Sequence, residues 1–366
     1  MRVRPPGDTV WIPRTVTCRQ LVKVAGTSSA WGDVSHNADP DTGGNAPASQ
    51  WVDIGGPVHY VDYGGPEDGP RLVLVHGLGG SLTSWAAVAP ALARVGRVIT
   101  LDLAGFGRSP GSPRAVTLTA NQLLLHEFLV RVAGTPVILV GHSMGATIGA
   151  MLSAQHPATT AGLIFIDPAV PWQFENQPPV WLTEFVADLA QAASTAGQAS
   201  RHGKVMLRQA FRLARAGYER ASQIPPQSIE RNLAAIRARI DDGQMNSDML
   251  AAARSLTLTV GRRQQFASVL REIKAPVLML HGDRDRFVPI GAARATANAN
   301  PAWHFEIAKG IGHVPQMEAP EWTTDRILTW LNAEGAEAVR LARTARCLPA
   351  DEGADGRKVI ADPAEE

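Results

Sequence analysis

The sequence predicts an α/β fold: a mostly parallel, doubly wound sheet with an inserted helical lid. Three observations carry this. Short runs that are apolar throughout alternate with helical stretches from about residue 58 onward. Strands of that kind are buried on both faces, which is the signature of a parallel sheet covered by helices on either side. A loop rich in glycine or acid follows nearly every run, at the strand end where such sheets build their sites. About a hundred residues of purely helical pattern then interrupt the rhythm before the last two strands.

The elements follow in order. Residues 1–50 read as an N-terminal extension. Val10-Trp11-Ile12 and Leu21-Val22-Lys23-Val24 suggest short strands, and residues 26–50, rich in Gly, Ser, Asp, Asn and Pro, suggest a flexible linker. The core is expected at residues 51–168 and 274–333. It opens on an alternating, antiparallel strand, Val58-His59-Tyr60-Val61-Asp62-Tyr63. Arg71 to Val75 is an apolar strand ending in His76-Gly77-Leu78-Gly79-Gly80. Arg97 to Leu101 is the next, ending in Asp102-Leu103-Ala104-Gly105-Phe106-Gly107-Arg108-Ser109. Leu118 to Val132 reads as a helix. Val137-Ile138-Leu139-Val140 and Gly162 to Ile166 are further strands, with a small-residue helix between them. Residues 169–273 form the expected lid, with helices at Val180–Ala193, Lys204–Ala216, Ser228–Ile240 and Met249–Leu256. The sheet resumes with Pro276 to Leu280 and Trp303 to Ile307, and Trp322 to Leu331 closes the core. Residues 334–366 are polar, acidic at their end, and expected to fray.

Between the fourth strand of the expected core and its helix stands Gly141-His142-Ser143-Met144-Gly145. A strand turning sharply into a helix strains the serine and lifts its hydroxyl above the sheet edge; a β-carbon at either flanking glycine would clash. The helix beneath offers unpaired N–H groups and a positive dipole end. A serine hydroxyl needs a base to take its proton, and the base needs a third group to hold its tautomer. His313 is the one histidine after the final strand, in a glycine-flanked loop. For the acid, Asp285 ranks first because it lies far enough past Gly282 to reach back. Asp167 ranks second, with turn formation before Pro168 as its plainer role, and Asp283, which suits a loop brace, ranks third. His76 is read as bonded within its own loop, and His142 as packed away from Ser143. The N–H groups of Leu78 and Met144 are the candidates for an oxyanion hole.

Five motifs in this order resemble the α/β-hydrolase superfamily: His76-Gly77-Leu78-Gly79-Gly80, Asp102 to Ser109, Gly141 to Gly145, Gly282-Asp283-Arg284-Asp285, and Gly312-His313. The likeness runs from about Val58 to Leu331. It implies a Ser143–Asp285–His313 triad, hydrolysis through an acyl-enzyme, and no metal or organic cofactor. Leu78 takes the third place of the loop that reads His-Gly-Gly-Gly in the lipase branch, as in the esterase, perhydrolase and carbon–carbon hydrolase branches. Serine at position 143 disfavours the members with an aspartate nucleophile.

The composition narrows the partners. Net charge is +1, so the overall balance makes no case for nucleic acid. No apolar run approaches the ~20 residues of a membrane-spanning helix, and no secretory leader is evident behind the basic N-terminus. Two cysteines, Cys18 and Cys347, suggest neither a disulfide framework nor a metal site, which fits a cytoplasmic setting. Trp172, Phe174, Trp181 and Phe185 are candidates to line the pocket, favouring an apolar acyl or aryl ester. Arg201, Lys204, Arg208, Arg212, Arg215 and Arg220 are opposed only by Glu219. A solvated helix face is the plainer reading; weak contact with an anionic membrane surface or a carboxylated substrate is the sharper one. The expected activity is a serine carboxylic-ester hydrolase. A carbon–carbon bond hydrolase of ring-fission products and a catalytically silent binding protein on the same fold are the alternatives.

Overall fold

The computed structural model describes residues 47–171, 219, 224 and 245–346. Eight strands form one sheet: β1 (Ser49–Asp53), β2 (Pro57–Asp62), β3 (Arg71–Val75), β4 (Arg97–Leu101), β5 (Val137–His142), β6 (Thr160–Ile166), β7 (Val277–Gly282) and β8 (His304–Ala308). Their order is β1-β2-β4-β3-β5-β6-β7-β8. β1 and β2 are antiparallel, and β2 joins β4 antiparallel; every pair from β4 to β8 is parallel.

Alternate residues of each parallel strand feed two separate cores, because successive side chains leave a strand on opposite faces. Val73, Val75, Leu139, Leu163, Phe165 and Met279 face one core. Helices α2 (Leu118–Phe128) and α3 (Met144–Gln155) contribute Leu125, Phe128, Ile148 and Leu152 to it. Leu72, Leu74, Ile138, Val140, Ile164 and Leu278 face the other. That side is covered by the short helix α1 (Ala89–Leu92) and by a later helix carrying Ile327, Trp330 and Leu331.

Within the segment expected as the lid, two helices are described: α4 (Met245–Gly261) and α5 (Arg263–Glu272). Phe266 and Leu270 of α5 are buried in the same core as α3, so α5 is a crossover helix feeding β7. Met249, Ala252 and Ala253 of α4 reach that core as well. The other expected lid helices lie outside the described residues, as do the suggested strands at 10–12 and 21–24. Beyond β7 come α6 (Ile290–Ala299), α7 (Pro315–Glu318), α8 (Pro320–Asn332) and α9 (Ala336–Ala342).

Two expectations need correction. The core begins at Ser49, inside the expected linker, because β1 pairs along its length with β2. The stretch after residue 334 is not frayed up to residue 346. Ala338 and Ala342 of α9 are fully buried, and the Ala338 β-carbon lies 2.7 Å from where a β-carbon on Gly162 would stand. Small residues on both surfaces let this helix lie close against β6.

Candidate active site

β5 delivers Gly141, His142 and Ser143 to the carboxyl edge of the sheet, and α3 starts at the next residue. Ser143 sits at φ 49 and ψ −114, a conformation that typically costs on the order of 1–3 kcal/mol and persists only when its surroundings enforce it. Here the Ser143 N–H donates to the Ile166 carbonyl at 3.0 Å, and its own carbonyl accepts from Ala146 N–H at 3.1 Å. A β-carbon on Gly145 would stand 2.4 Å from the Val75 carbonyl oxygen, and one on Gly141 would stand 2.5 Å from Ala146 Cα. Both flanking glycines are steric requirements, as the pentapeptide implied.

The three residues singled out from the sequence meet here. His313 Nε2 lies 3.0 Å from Ser143 Oγ, and His313 Nδ1 lies 2.7 Å from Asp285 Oδ2. The other oxygen of Asp285 accepts the N–H groups of Phe287 at 2.7 Å and Val288 at 3.0 Å. All three side chains are buried. Burial pushes the Asp285 carboxyl up. The opposing pull of His313, of His281 and of the Val288 N–H outweighs it and holds the group below the ordinary carboxylate value. An ionised Asp285 therefore receives the Nδ1 proton of His313, leaving Nε2 as the acceptor facing Ser143.

The loop after β3 leans on the same point. A β-carbon on Gly77 would lie 2.7 Å from His142 Nδ1 and 3.1 Å from Ser143 Cβ. His76 Nδ1 donates to the Gly77 carbonyl at 2.8 Å, and its Nε2 accepts from Leu103 N–H at 3.0 Å, which fixes its tautomer. Leu78, half-buried, follows directly, and Met144 opens α3, whose first N–H groups have no intrahelical acceptor. Asp283 braces its loop as read from the sequence, its Oδ1 accepting from Gly310 N–H at 2.6 Å.

The sequence did not announce the contacts of several neighbours. His142 donates from Nε2 to the His313 carbonyl at 2.7 Å. Burial first, then His313, lowers its pKa to about 3, so it is a neutral donor. The Phe287 ring meets the His313 ring edge-on at 5.0 Å. Asp167 is more than a turn former: it is fully buried at φ 42, and its Oδ1 accepts from Gly282 N–H at 2.9 Å. Burial and then the charge of Asp285 hold its carboxyl well above the ordinary value. Among the described residues, Asp167, His281 and Asp285 are the group of three that could hold a metal ion, with ligand atoms within 4.8 Å of one another. Several of their atoms are engaged: Asp285 by His313 and two N–H groups, His281 Nε2 with the Val288 carbonyl at 2.8 Å, and Asp167 Oδ1 by Gly282, while Asp167 Oδ2 and His281 Nδ1 are buried without a hydrogen-bond partner. None of these contacts has a sequence spacing of its own, so no motif could have announced them.

Trp172, Phe174, Trp181 and Phe185 lie outside the described residues, as do Arg201 to Arg215 and Arg220. Among the described residues no helix is long and apolar enough to cross a membrane.

Residues 70–320, more than half of the chain, match the family model described as the alpha/beta hydrolase fold. The chain belongs to the α/β-hydrolase family. It is 30% identical over 304 residues to the dihydrolipoyllysine-residue acetyltransferase component of the acetoin cleaving system of Pseudomonas putida, covering 78% of this chain and 70% of that protein. It is 36% identical over 113 residues to the sn-1-specific diacylglycerol lipase ABHD11 of Mus musculus, covering 30% of this chain and 36% of that protein. The structure of an α/β-hydrolase-fold protein from Burkholderia ambifaria superposes with a TM-score of 0.61 at 20% identity, over 78% of this chain and 98% of that one, a likeness of fold.

Proposed function

We propose that this α/β-hydrolase is a serine hydrolase that cleaves a carboxylic ester with an apolar acyl or aryl group through an acyl-enzyme. One observation carries the reading: the continuous relay from Ser143 Oγ through both nitrogens of His313 to Asp285, at 3.0 and 2.7 Å. In this scheme His313 Nε2 takes the serine proton as Oγ attacks the carbonyl carbon, and later returns it to the leaving alkoxide. Asp285 holds the imidazole in the accepting tautomer and stabilises the imidazolium that forms. Leu78 and Met144 N–H groups would receive the oxyanion, a role worth roughly 10²–10³ in rate per donor. A water then repeats the sequence on the acyl-enzyme, with His313 again as base.

The apolar substrate is supported by Phe287 beside His313, and by the aromatic run Trp172, Phe174, Trp181 and Phe185 in the proposed lid. The names of the two relatives, an acetyltransferase component and a diacylglycerol lipase, both describe acyl-group chemistry, which favours an ester.

The test is direct. The purified chain should hydrolyse p-nitrophenyl butyrate and be labelled at Ser143 by a fluorophosphonate. Ser143→Ala should lose both while keeping its unfolding transition. Turnover retained by the alanine variant, or an unlabelled wild type that hydrolyses no acyl ester, would overturn the assignment.

A further inference from the structure

Glu318 lies five residues past His313, at the end of the short helix α7, and is nearly inaccessible to solvent. Burying a carboxyl group is costly unless its oxygens are hydrogen-bonded. Its partners explain its place. Oε2 accepts from Gly312 N–H at 3.3 Å, and Oε1 accepts from Val314 N–H at 3.4 Å. Those are the two residues flanking His313, so one carboxyl group grips the backbone on both sides of the imidazole. The His313 carbonyl is held from the third direction by His142.

A third N–H reaches Glu318 from far away in the chain. Glu219, within the segment inserted between β6 and β7, donates its backbone N–H to Glu318 Oε2 at 3.0 Å. The Glu219 carboxylate also pairs with Arg286, the neighbour of Asp285, at 2.8 Å. That ion pair is largely solvent-exposed and worth little by itself. The backbone bond is the partly buried one.

We propose that Glu318 is a positioning residue for His313, and that the Glu219 N–H anchors the same carboxyl group. The Glu219 N–H and the two N–H groups flanking His313 then draw on one pair of oxygens. The inference rests on the reading of His313 as the base. It adds that a group touching neither substrate nor Ser143 controls how well that base is aimed. Small misplacements of a reacting group are expensive: about 1 Å can cost on the order of 10²-fold.

The experiment uses p-nitrophenyl butyrate kinetics, fluorophosphonate labelling rates and thermal unfolding on the full chain. Glu318→Gln retains the shape but turns one acceptor into a donor facing an N–H. It should lower kcat and the labelling rate together by roughly 10- to 100-fold, with KM nearly unchanged. Glu318→Asp, which keeps the carboxyl group but is one methylene short, should not restore either rate. Glu219→Pro removes the N–H that Glu318 accepts, and Glu219→Gln keeps it while ending the ion pair. The proline variant should lose rate and the glutamine variant should not. If both groups act through one bond, the Glu219→Pro/Glu318→Gln double variant loses no more than Glu318→Gln alone. A folded Glu318→Gln variant labelled as fast as wild type would overturn the positioning role, and multiplying losses in the double variant would overturn the anchoring role of the Glu219 N–H. Both outcomes are distinct from failure of the catalytic reading, in which wild type itself is not labelled at Ser143.

Discussion

His142 donates its Nε2 proton to the carbonyl of His313 at 2.7 Å, so the residue before the proposed nucleophile braces the loop that carries the proposed base. Burial holds the His142 pKa near 3, against the pull of this bond toward the protonated form, so the donor is the neutral imidazole. Burial likewise lowers His76 and His281. In the unfolded chain each of these takes up a proton near pH 6.5. Below that value the unfolded state binds more protons than the folded one, so stability falls as pH falls. Each group contributes up to about 1.4 kcal/mol per pH unit in that window. Urea titrations at pH 7.5, 6 and 5 should therefore give a falling unfolding free energy. A flat profile across that range would contradict the neutral buried histidines.

Asp285→Asn tests the tautomer argument. Oδ1 already accepts Phe287 and Val288 N–H groups, so the amide oxygen of asparagine is expected to keep that side. Its NH₂ then faces His313 Nδ1, which must become an acceptor. The proton moves to Nε2, where it can no longer receive the serine proton. The kcat for acyl esters should drop by about 10⁴, by analogy with the same substitution in other triads, while KM and the unfolding midpoint change little. Steady-state kinetics on p-nitrophenyl butyrate checks this; a drop below tenfold would mean that Asp285 does not set the tautomer.

The central strands were legible because they are apolar on both faces, and the site because Ser143, Asp285 and His313 each follow a strand in a diagnostic order. What escaped notice had no such signal. β1 offers only Trp51, Val52 and polar neighbours, since an edge strand is half-exposed along its length. α9 reads as polar because its packing face is alanine, with Glu337 and Arg340 between. The bonds of His142, Asp167 and Glu318 join elements distant in sequence, and their geometry exists only once the sheet has formed.

The alanine face of α9 can be tested alone. Ala338 is fully buried, its β-carbon 2.7 Å from where a β-carbon on Gly162 would stand. A leucine there has no space to enter, and overpacking of this kind costs about 1–3 kcal/mol. Ala338→Leu should lower the thermal midpoint without altering labelling of Ser143 by fluorophosphonate at 20–25 °C, roughly ordinary assay temperature. An unchanged midpoint would show that α9 does not pack on β6 in solution.

Asp167 behaves in the opposite sense to the histidines. Its carboxyl is held well above the ordinary value by burial and then by the charge of Asp285. The folded state keeps a proton there that the unfolded chain releases near pH 3.9. Stability therefore falls as pH rises from that point toward the folded-state pKa, a single group opposed by three histidines at lower pH. Asparagine at 167 removes this penalty. It keeps an acceptor for Gly282 N–H, now at 2.9 Å, and tolerates φ 42 better than most residues. Asp167→Asn should thus raise the unfolding free energy at pH 8 relative to wild type, with a smaller gain at pH 5. Asp167→Ala removes the same penalty but leaves the Gly282 N–H unpaired in the interior, so it should lie about 1–3 kcal/mol below Asp167→Asn at both pH values. Urea unfolding of both variants at the two pH values decides it: an asparagine variant less stable than wild type at pH 8 would mean that Asp167 is ionised in the folded chain.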